Sequence, residues 1–549
     1  MKSFDGAAER HFLVTRNDEL YEAFPDLVLL DDGTVLCLYR ESDAHAPAWS
    51  RVALIESGDR GRSWHRHRIV LDAPQRPNWN LPRISALRDG RLVVIGDRGQ
   101  DNFLIWSDDR GRTWSQPQPT PIRGQCPDQV VELDDGTLLV NVEREKPGST
   151  ERCFRPPLLH LVQYRSEDRG ATWREDGVIW DTDVLGGSGE GATVQLPDGS
   201  LVCHIRNSNG YSHPSPKIFS SDRGRTWSAP VLSGTYGGMH RCGLLHDGRM
   251  LATYRQMSGN SSLYAWCGDP CEPNGYRVSS RWGNDGGAAL TPEGLRIRCT
   301  GAPEEVPPAY FLPPPEHHDS VVTIEAELRC LSNEARAGWK HTCAINVTDA
   351  GELVFFPDRI EIGGQPDTVR RLDASRWHRY RVVRDATSLT VSVDGEEAIR
   401  TTRLNRTGGR RFGQWGQDRS AFGTTFRAAQ HMADEWVGSV WRWDNFARRG
   451  FVGESIWRSV SVAVRNATTP DMSWSWDAAS GEYPDQYQRD TMVEVDWDPV
   501  ADFGGSSWVQ FANGEILCVY YTAEETRHQR PYLKGCRLYP TDFPLEVTS

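Results

Sequence analysis

At 549 residues, with 38% hydrophobic residues and a formal net charge of −13, the chain is too long for one hydrophobic core and is expected to hold two or more domains. No run approaches the eighteen apolar residues that a membrane-spanning helix needs, and the arginines are scattered among acids rather than gathered into a basic run. Together these argue against a membrane or nucleic-acid partner.

The N-terminal MKSFDGAAERHFLVTR has no apolar stretch behind its lysine, so no signal peptide is visible. A cytoplasmic location is the expectation, or a secreted one if a leader precedes this sequence. The first clear element is DLVLLDDGTVLCLY, two apolar runs around an Asp-Gly turn, which is a hairpin signal. The same pattern returns along the chain, with turn glycines at Gly33, Gly90, Gly136, Gly199, Gly248 and Gly514. A second motif, Ser-x-Asp-x-Gly-x-x-Trp, follows four of these hairpins: Ser57 to Trp64, Ser107 to Trp114, Ser166 to Trp173 and Ser220 to Trp227, starting 50, 59 and 54 residues apart. That is the spacing of a four-stranded propeller blade. In each octamer the Asp is suited to cap backbone N–H groups, the Gly to adopt positive φ, and the Trp to pack between sheets.

Six hairpins predict six blades, at roughly residues 21–80, 81–127, 128–186, 187–237, 238–275 and 498–549, with HFLVTR closing the last sheet. The gap between the fifth and sixth hairpins is too long for a loop. From about Gly275 to Gly453 it reads SVVTIEAELRC, HTCAINVTDAG, ELVFFPDRIEI, WHRYRVVRDATSLTVSVDGEEAIR and EWVGSVWRWDNFA, short strands with frequent turns, as in a β-sandwich. The expected organisation is therefore propeller blades over 1–275, an inserted sandwich over 276–453, a linker over 454–497 and the sixth blade over 498–549. Ser473 to Asp490, rich in Trp, Tyr and Asp, reads either as a sugar-stacking rim or as a packed linker.

The twelve cysteines show no metal-ligand spacing, and Cys37, Cys203 and Cys518 recur at one strand position as small buried residues would. No phosphate loop or zinc motif is visible, so neither cofactor nor metal is expected.

The innermost strand of a blade starts, and the second strand ends, at one face of the ring. Seven residues after each turn glycine stand Arg40, Asp97, Glu143, Arg206, Arg255 and Tyr521. Seven to nine residues before it stand Phe24, Pro25 and Asp26, then Pro82 and Arg83, Asp128 and Gln129, Glu190, His240 and Arg241, and Gly505, Ser506 and Ser507. So many ionisable groups at a ring centre are costly unless they pair with one another or meet a charged ligand. A self-satisfied salt-bridge plug, with pairs such as Asp97–Arg40, is the structural alternative.

The four octamers resemble the Asp-boxes of the sialidase superfamily, and Trp377 to Arg400 resembles the strand–turn–strand of concanavalin-like or laminin-G-like domains. The resemblance implies an all-β chain, a six-bladed β-propeller with an inserted lectin-like β-sandwich (jelly roll), acting on an oligosaccharide or polysaccharide. SGEGATVQLPDGSLVCHIR is similar to the sialidase stretch in which a Glu precedes a carboxylate-binding Arg, which matches Glu190 and Arg206. Asp43, with His45 beside it, lies on the loop where sialidases carry their acid/base Asp. Phe24 and Pro25 stand where the first sialidase Arg is expected, and Gly505 near the place of the nucleophilic Tyr. Tyr521, Tyr211 and Tyr487 are the substitutes on offer.

These readings lead to a sialidase-like glycoside hydrolase cleaving a terminal anionic sugar, sialic or uronic acid. Catalytic candidates are Glu190, Asp43, Asp128, His45, His240 and Tyr521; candidates to hold substrate are Arg40, Arg83, Asp97, Arg206, Arg241 and Arg255. A uronate lyase on the same scaffold, using His45, His240 or Tyr521 to remove a proton, is one alternative, and a non-catalytic glycan-binding protein is another.

Overall fold

A computed structural model describes residues 2–146, 159–181, 189–206, 214–256, 262–272, 275–280, 287–302, 308–316, 318–334, 340–348, 350–404, 420–426, 451–467, 470–498, 503–523 and 530–543. Tyr211 and the EWVGSVWRWDNFA segment lie outside these residues.

Six sheets form a six-bladed β-propeller, antiparallel throughout except where Lys2–Ser3 pairs parallel with Met492–Trp497 at the edge of the fifth. The first four blades take their strands in chain order. Blade one comprises Tyr21–Leu29, Val35–Ser42, Ser50–Ser57 and His65–Ala73; blade four comprises Gly191–Gln195, Leu201–Ile205, Pro216–Ser220 and Val231–Leu232. The sixth blade joins Gly504–Gln510, Ile516–Thr522 and Tyr532–Leu538 to His11–Thr15, so the N-terminal strand closes the ring. Between blades the cores are aliphatic: Leu36, Leu38 and Leu54 of the first meet Ile84, Leu92 and Val94 of the second.

All six hairpin glycines have φ between 85° and 88°. In the first hairpin the Leu30 carbonyl accepts from Gly33 N at 2.9 Å and Leu30 N donates to Thr34 O at 2.8 Å, a tight turn ending in a left-handed residue that only glycine fills without strain. The Ser-x-Asp octamers connect the third and fourth strands. Ser57 Oγ donates to Asp59 Oδ1 and accepts from Gly61 N, each at 2.7 Å, and Asp59 Oδ1 accepts from Ser63 N at 2.9 Å. The residue before each glycine, always arginine, is left-handed as well: φ is 62° at Arg60, 65° at Arg110, 59° at Arg169 and 60° at Arg223.

Hydrogen bonds from the threonines at Thr113, Thr172 and Thr226 hold Asp109, Asp168 and Asp222 down at about 2, and Ser63 holds Asp59 lower still. A carboxylate depressed on folding stabilises the fold above its ordinary pKa and loses that contribution as pH falls through the folded value. Acid titration followed by the fluorescence of Trp64, Trp114, Trp173 and Trp227 is therefore expected to show these turns intact at pH 4 and released toward pH 2; release above pH 4 would contradict it.

The insertion is a two-layer β-sandwich. One sheet runs Ser279–Ser280, Ala309–Phe311, Ala421–Phe426, Lys340–Val347, Gly351–Phe356, Arg359–Ile362 and Arg370–Arg371. The other runs Ala288–Thr291, Gly294–Cys299, Val452–Arg465, Val321–Glu334, His378–Arg384, Leu389–Val393 and Glu396–Thr401, with Met472–Asp477 on one flank of Val452–Arg465. Alternating burial along Val321–Glu334 sends Val322, Ile324, Ala326 and Leu328 inward against Ile345, Phe355, Phe422 and Trp457.

Two boundaries need correction. Residues 454–497 are not a linker: Val452–Arg465 is a central sandwich strand, and Met492–Trp497 pairs with Ser262–Gly268 as the outer strand of blade five. The alternation in ESIWRSVSVAVR was the signal, but no Asp-Gly turn flags it. The chain thus leaves blade five after its third strand, builds the sandwich, and returns to finish the blade. Ser473 to Asp490 takes in most of the strand Met472–Asp477 and runs into the helix Gln486–Thr491, whose Tyr487 accepts from Trp266 Nε1 at 2.8 Å and donates to Glu272 at 2.5 Å.

Candidate functional site

One register rule organises the ring centre. The residue seven after a turn glycine meets the residue ten before the turn glycine of the next blade. Arg40 Nη1 donates to Asn80 O at 3.2 Å, and Asp97 Oδ2 accepts from Cys126 N at 3.2 Å. At the next three steps the facing residue is glycine. A Cβ on Gly189 would stand 1.8 Å from Glu143 Oε2, one on Gly238 2.6 Å from Arg206 Cδ, and one on Gly504 2.9 Å from Arg255 Cβ. Without those methylene positions Glu143, Arg206 and Arg255 reach inward, whereas Arg40, Asp97 and Tyr521 are sealed at 0% exposure. Among the described residues the ring is therefore closed on blades six, one and two and open across blades three to five.

Backbone strain marks the same end. The inner strands of blades one, five and six each slip register, between Ala23 and Asp26, Gly238 and Arg241, and Gly504 and Ser507. Inside each slip lies a left-handed residue, Phe24 at φ 57°, Met239 at φ 57° and Gly505 at φ 48°. Such bulges re-aim side chains, and non-glycine residues held there cost free energy, which is why they cluster at functional sites. Met239 N donates to Glu190 Oε2 at 2.9 Å. Phe24 packs 5.1 Å from the Tyr521 ring, with the Arg40 guanidinium 4.6 Å above it. A side chain at Gly505 would come within 2.7 Å of Tyr521 and 2.9 Å of Met239, so a tyrosine cannot stand there.

The charged half is built around Glu190, whose Oε1 accepts from Arg206 Nη1 at 2.6 Å. Burial works to raise the Glu190 carboxyl, but Arg206, Arg83 and Arg255 together hold it below the ordinary carboxylate range. Glu143 is pushed the other way, up to about 7, by burial and by the charge of Glu190. Arg83 and Arg255 are each only 8% exposed. Among the described residues neither has a carboxylate within ion-pair distance; Arg255 Nη1 reaches only Phe503 O at 3.1 Å, and its Nε has no partner.

Other expected site residues also carry structural duties. Asp128 accepts from Thr193 N at 2.8 Å and Gln129 N at 2.7 Å; burial raises its carboxyl to about 6. Asp26 accepts from Ile84 N at 2.9 Å, and Ser507 Oγ from Leu27 N at 3.0 Å. All three tie one inner strand to the next blade. Arg241 joins this network through Gln129, Ser507 Oγ at 3.2 Å and Asp26 at 3.7 Å, a partial form of the salt-bridge plug. Asp97 holds Leu81 N at 2.9 Å and Asn80 Nδ2 at 3.1 Å rather than Arg40. Arg40 clamps the His45 carbonyl at 2.9 Å.

His240 stacks on Tyr254 at 5.3 Å, bonds Thr235 Oγ1 at 3.0 Å, and is lowered to about 4 by burial. Asp43 Oδ1 caps its own loop at Ala48 N, 2.9 Å, and His45 Nδ1 bonds Tyr21 Oη at 2.8 Å. Tyr521 lies behind Phe24 and Gly505. The structure thus brings Glu190, Arg83, Arg206 and Arg255 together and adds Glu143, whose signal was its shared register with Arg206 and Arg255.

A Gly238→Ala substitution should displace Arg206 and weaken its 2.6 Å bond to Glu190, at a cost of about 1–3 kcal/mol, the worth of a charged hydrogen bond. The midpoint of thermal unfolding measures this, and an unchanged midpoint would break the register rule.

Residues 94–256 match the family model described as BNR repeat-like domain. The chain is 28% identical over 215 residues to a sialidase of Micromonospora viridifaciens, a match covering 33% of this chain and 33% of that protein. It is 23% identical over 244 residues to a sialidase of Clostridium perfringens, covering 38% and 60%. The chain thus spans a third to about three fifths of the length of these relatives. Among solved structures it is similar to the intramolecular trans-sialidase from Ruminococcus gnavus, with TM-score 0.37 and 15% identity over 47% of this chain and 82% of that one.

Proposed function

We propose that this chain, whose residues 94–256 match the BNR repeat-like model and whose sequence resembles those of sialidases, is a glycoside hydrolase acting on a terminal anionic sugar of a glycan. The observation that carries this reading is the surplus of buried positive charge. Glu190 answers Arg206, and Glu143 is largely protonated below about pH 7. Arg83 and Arg255 then feel Glu190 only at longer range, with no carboxylate of the described residues within ion-pair distance. A buried guanidinium is stable only when its charge is met, and a sugar carboxylate supplies that charge with bidentate geometry. Glu190, kept ionised, stands where positive charge develops on the sugar ring as the glycosidic bond breaks.

Arg255→Lys keeps the charge and loses the fork, so affinity for sialic or glucuronic acid should fall by about 1–3 kcal/mol. Affinity for a neutral hexose should not move. Equal binding of neutral and anionic sugars before and after the change would remove the carboxylate site. Product analysis settles the reaction: hydrolysis releases a reducing sugar, elimination leaves an unsaturated uronate that absorbs in the ultraviolet, and a pure binding protein yields neither.

A further inference from the structure

We propose that Glu143 is the proton donor of this site, replacing the first-blade aspartate in that role; the proposal rests on the hydrolase reading above. Two observations clear the ground. Asp43 spends its Oδ1 on the backbone of its own loop, at Ala48 N and Trp49 N, 2.9 and 3.5 Å. Gly505 cannot carry a nucleophilic side chain, because Tyr521 and Met239 occupy the space a Cβ would need. The groups that face the open half of the ring are then the ones to consider.

Glu143 is such a group. It leaves its strand in the same register as Arg206 and Arg255, its Oε2 rests against the bare Cα of Gly189, and Glu190 is the next residue along. Four groups surround its carboxyl: Glu190 and Arg206 of blade four, the Cys126 thiol on the preceding loop, and Asp97 of blade two. Cys126 is itself fixed at φ 48° by a hydrogen bond from its N to Asp97, so the acid has a rigid neighbour on one side and an anion on the other. Burial and the charge of Glu190 make it keep its proton to about pH 7. Two adjacent carboxyls whose environments drive their proton affinities apart are the arrangement in which one serves as acid while the other stays ionised.

In the reaction, the bond between the anomeric carbon and the glycosidic oxygen breaks, with the electron pair passing to the oxygen. That oxygen takes the Glu143 carboxyl proton and leaves as an alcohol. Water then adds to the anomeric carbon and gives one proton to the Glu143 carboxylate, which restores the acid. Glu190 remains an anion throughout and faces the positive charge on the ring. The sum is one glycoside and one water converted to two hydroxyl compounds, with no other reactant.

The test compares Glu143→Gln, Asp43→Asn and the unaltered protein on two glycosides each of sialic and glucuronic acid. One carries a 4-nitrophenyl leaving group, which departs without help; the other carries methanol, which needs a proton. Glu143→Gln should lose 10²–10⁴-fold in turnover on the methyl glycoside and less than about 10-fold on the nitrophenyl one. The alkaline limb of the pH profile near 7 should vanish with it, while Asp43→Asn should leave both rates and the limb in place. If Glu143→Gln keeps its rate on the methyl glycoside, or the limb follows Asp43 instead, the proposal is overturned and the hydrolase reading survives. If the unaltered protein cleaves neither sugar from either leaving group, both fall. Should Glu143→Gln lower the thermal midpoint, Glu143→Asp replaces it: a displaced alkaline limb supports the assignment and an unmoved one overturns it.

Discussion

Replacing Glu190 with glutamine is expected to lower turnover by roughly 10²–10⁴-fold. The amide keeps the shape of the carboxylate and can still accept from Met239 N, the bond now measured at 2.9 Å. What disappears is the negative charge, and with it the partner of Arg206 and the anion facing the reacting carbon. The acid limb of the profile should move as well. Because Arg206, Arg83 and Arg255 outweigh burial and hold Glu190 below the ordinary carboxylate range, the unaltered protein should stay active at pH values where an ordinary glutamate is protonated, and the glutamine variant should lack that limb. A variant with full turnover would take Glu190 out of the chemistry; one that unfolds would make it a strut.

A stability effect of comparable size is expected at Asp26. Its carboxylate, at 0% exposure, accepts from Ile84 N and from Gln129 Nε2 at 2.9 and 2.8 Å and from Ser507 Oγ at 2.9 Å, with Arg241 at 3.7 Å. Blades one, two, three, five and six all lean on one side chain. Asp26→Ala should cost about 3–5 kcal/mol, because it leaves a buried guanidinium and several donors unanswered at once. The propeller transition in calorimetry is the measurement, since a chain with two kinds of domain need not unfold in one step. A loss under 1 kcal/mol would mean the inner strands are held by their aliphatic seams alone.

How much of this could be read from the sequence differs by level. The blades were legible because a hairpin turn and a Ser-x-Asp turn have local causes: the glycine at φ 85° to 88° and the serine–aspartate bonds need only neighbouring residues. The path of the insertion was not, because pairing of Met492–Trp497 with Ser262–Gly268 depends on a partner over two hundred residues away and leaves no local mark. At the site, counting seven residues past each turn found Glu143, Arg206 and Arg255, but it could not tell a sealed side chain from an open one. That distinction sits in the next blade, ten residues before its turn. Asn80 and Cys126 close over Arg40 and Asp97, while Gly189, Gly238 and Gly504 make way for Glu143, Arg206 and Arg255. Reading the two registers together would have promoted Glu143 and demoted Asp97 and Arg40 without any coordinates.

The pairing of His11–Thr15 with Tyr532–Leu538 has a consequence for synthesis. A ribosome adding roughly 5–20 residues per second releases the first of these strands on the order of half a minute to two minutes before its partner. Throughout that wait the first blade has no neighbour on one flank, and the edge that will receive His11–Thr15 does not yet exist. Blade five is likewise unfinished until the sandwich has been made. Early strands must therefore be kept from pairing with other copies of the chain, and the exposed charges along His65–Ala73, the outer edge of blade one, are placed to discourage that.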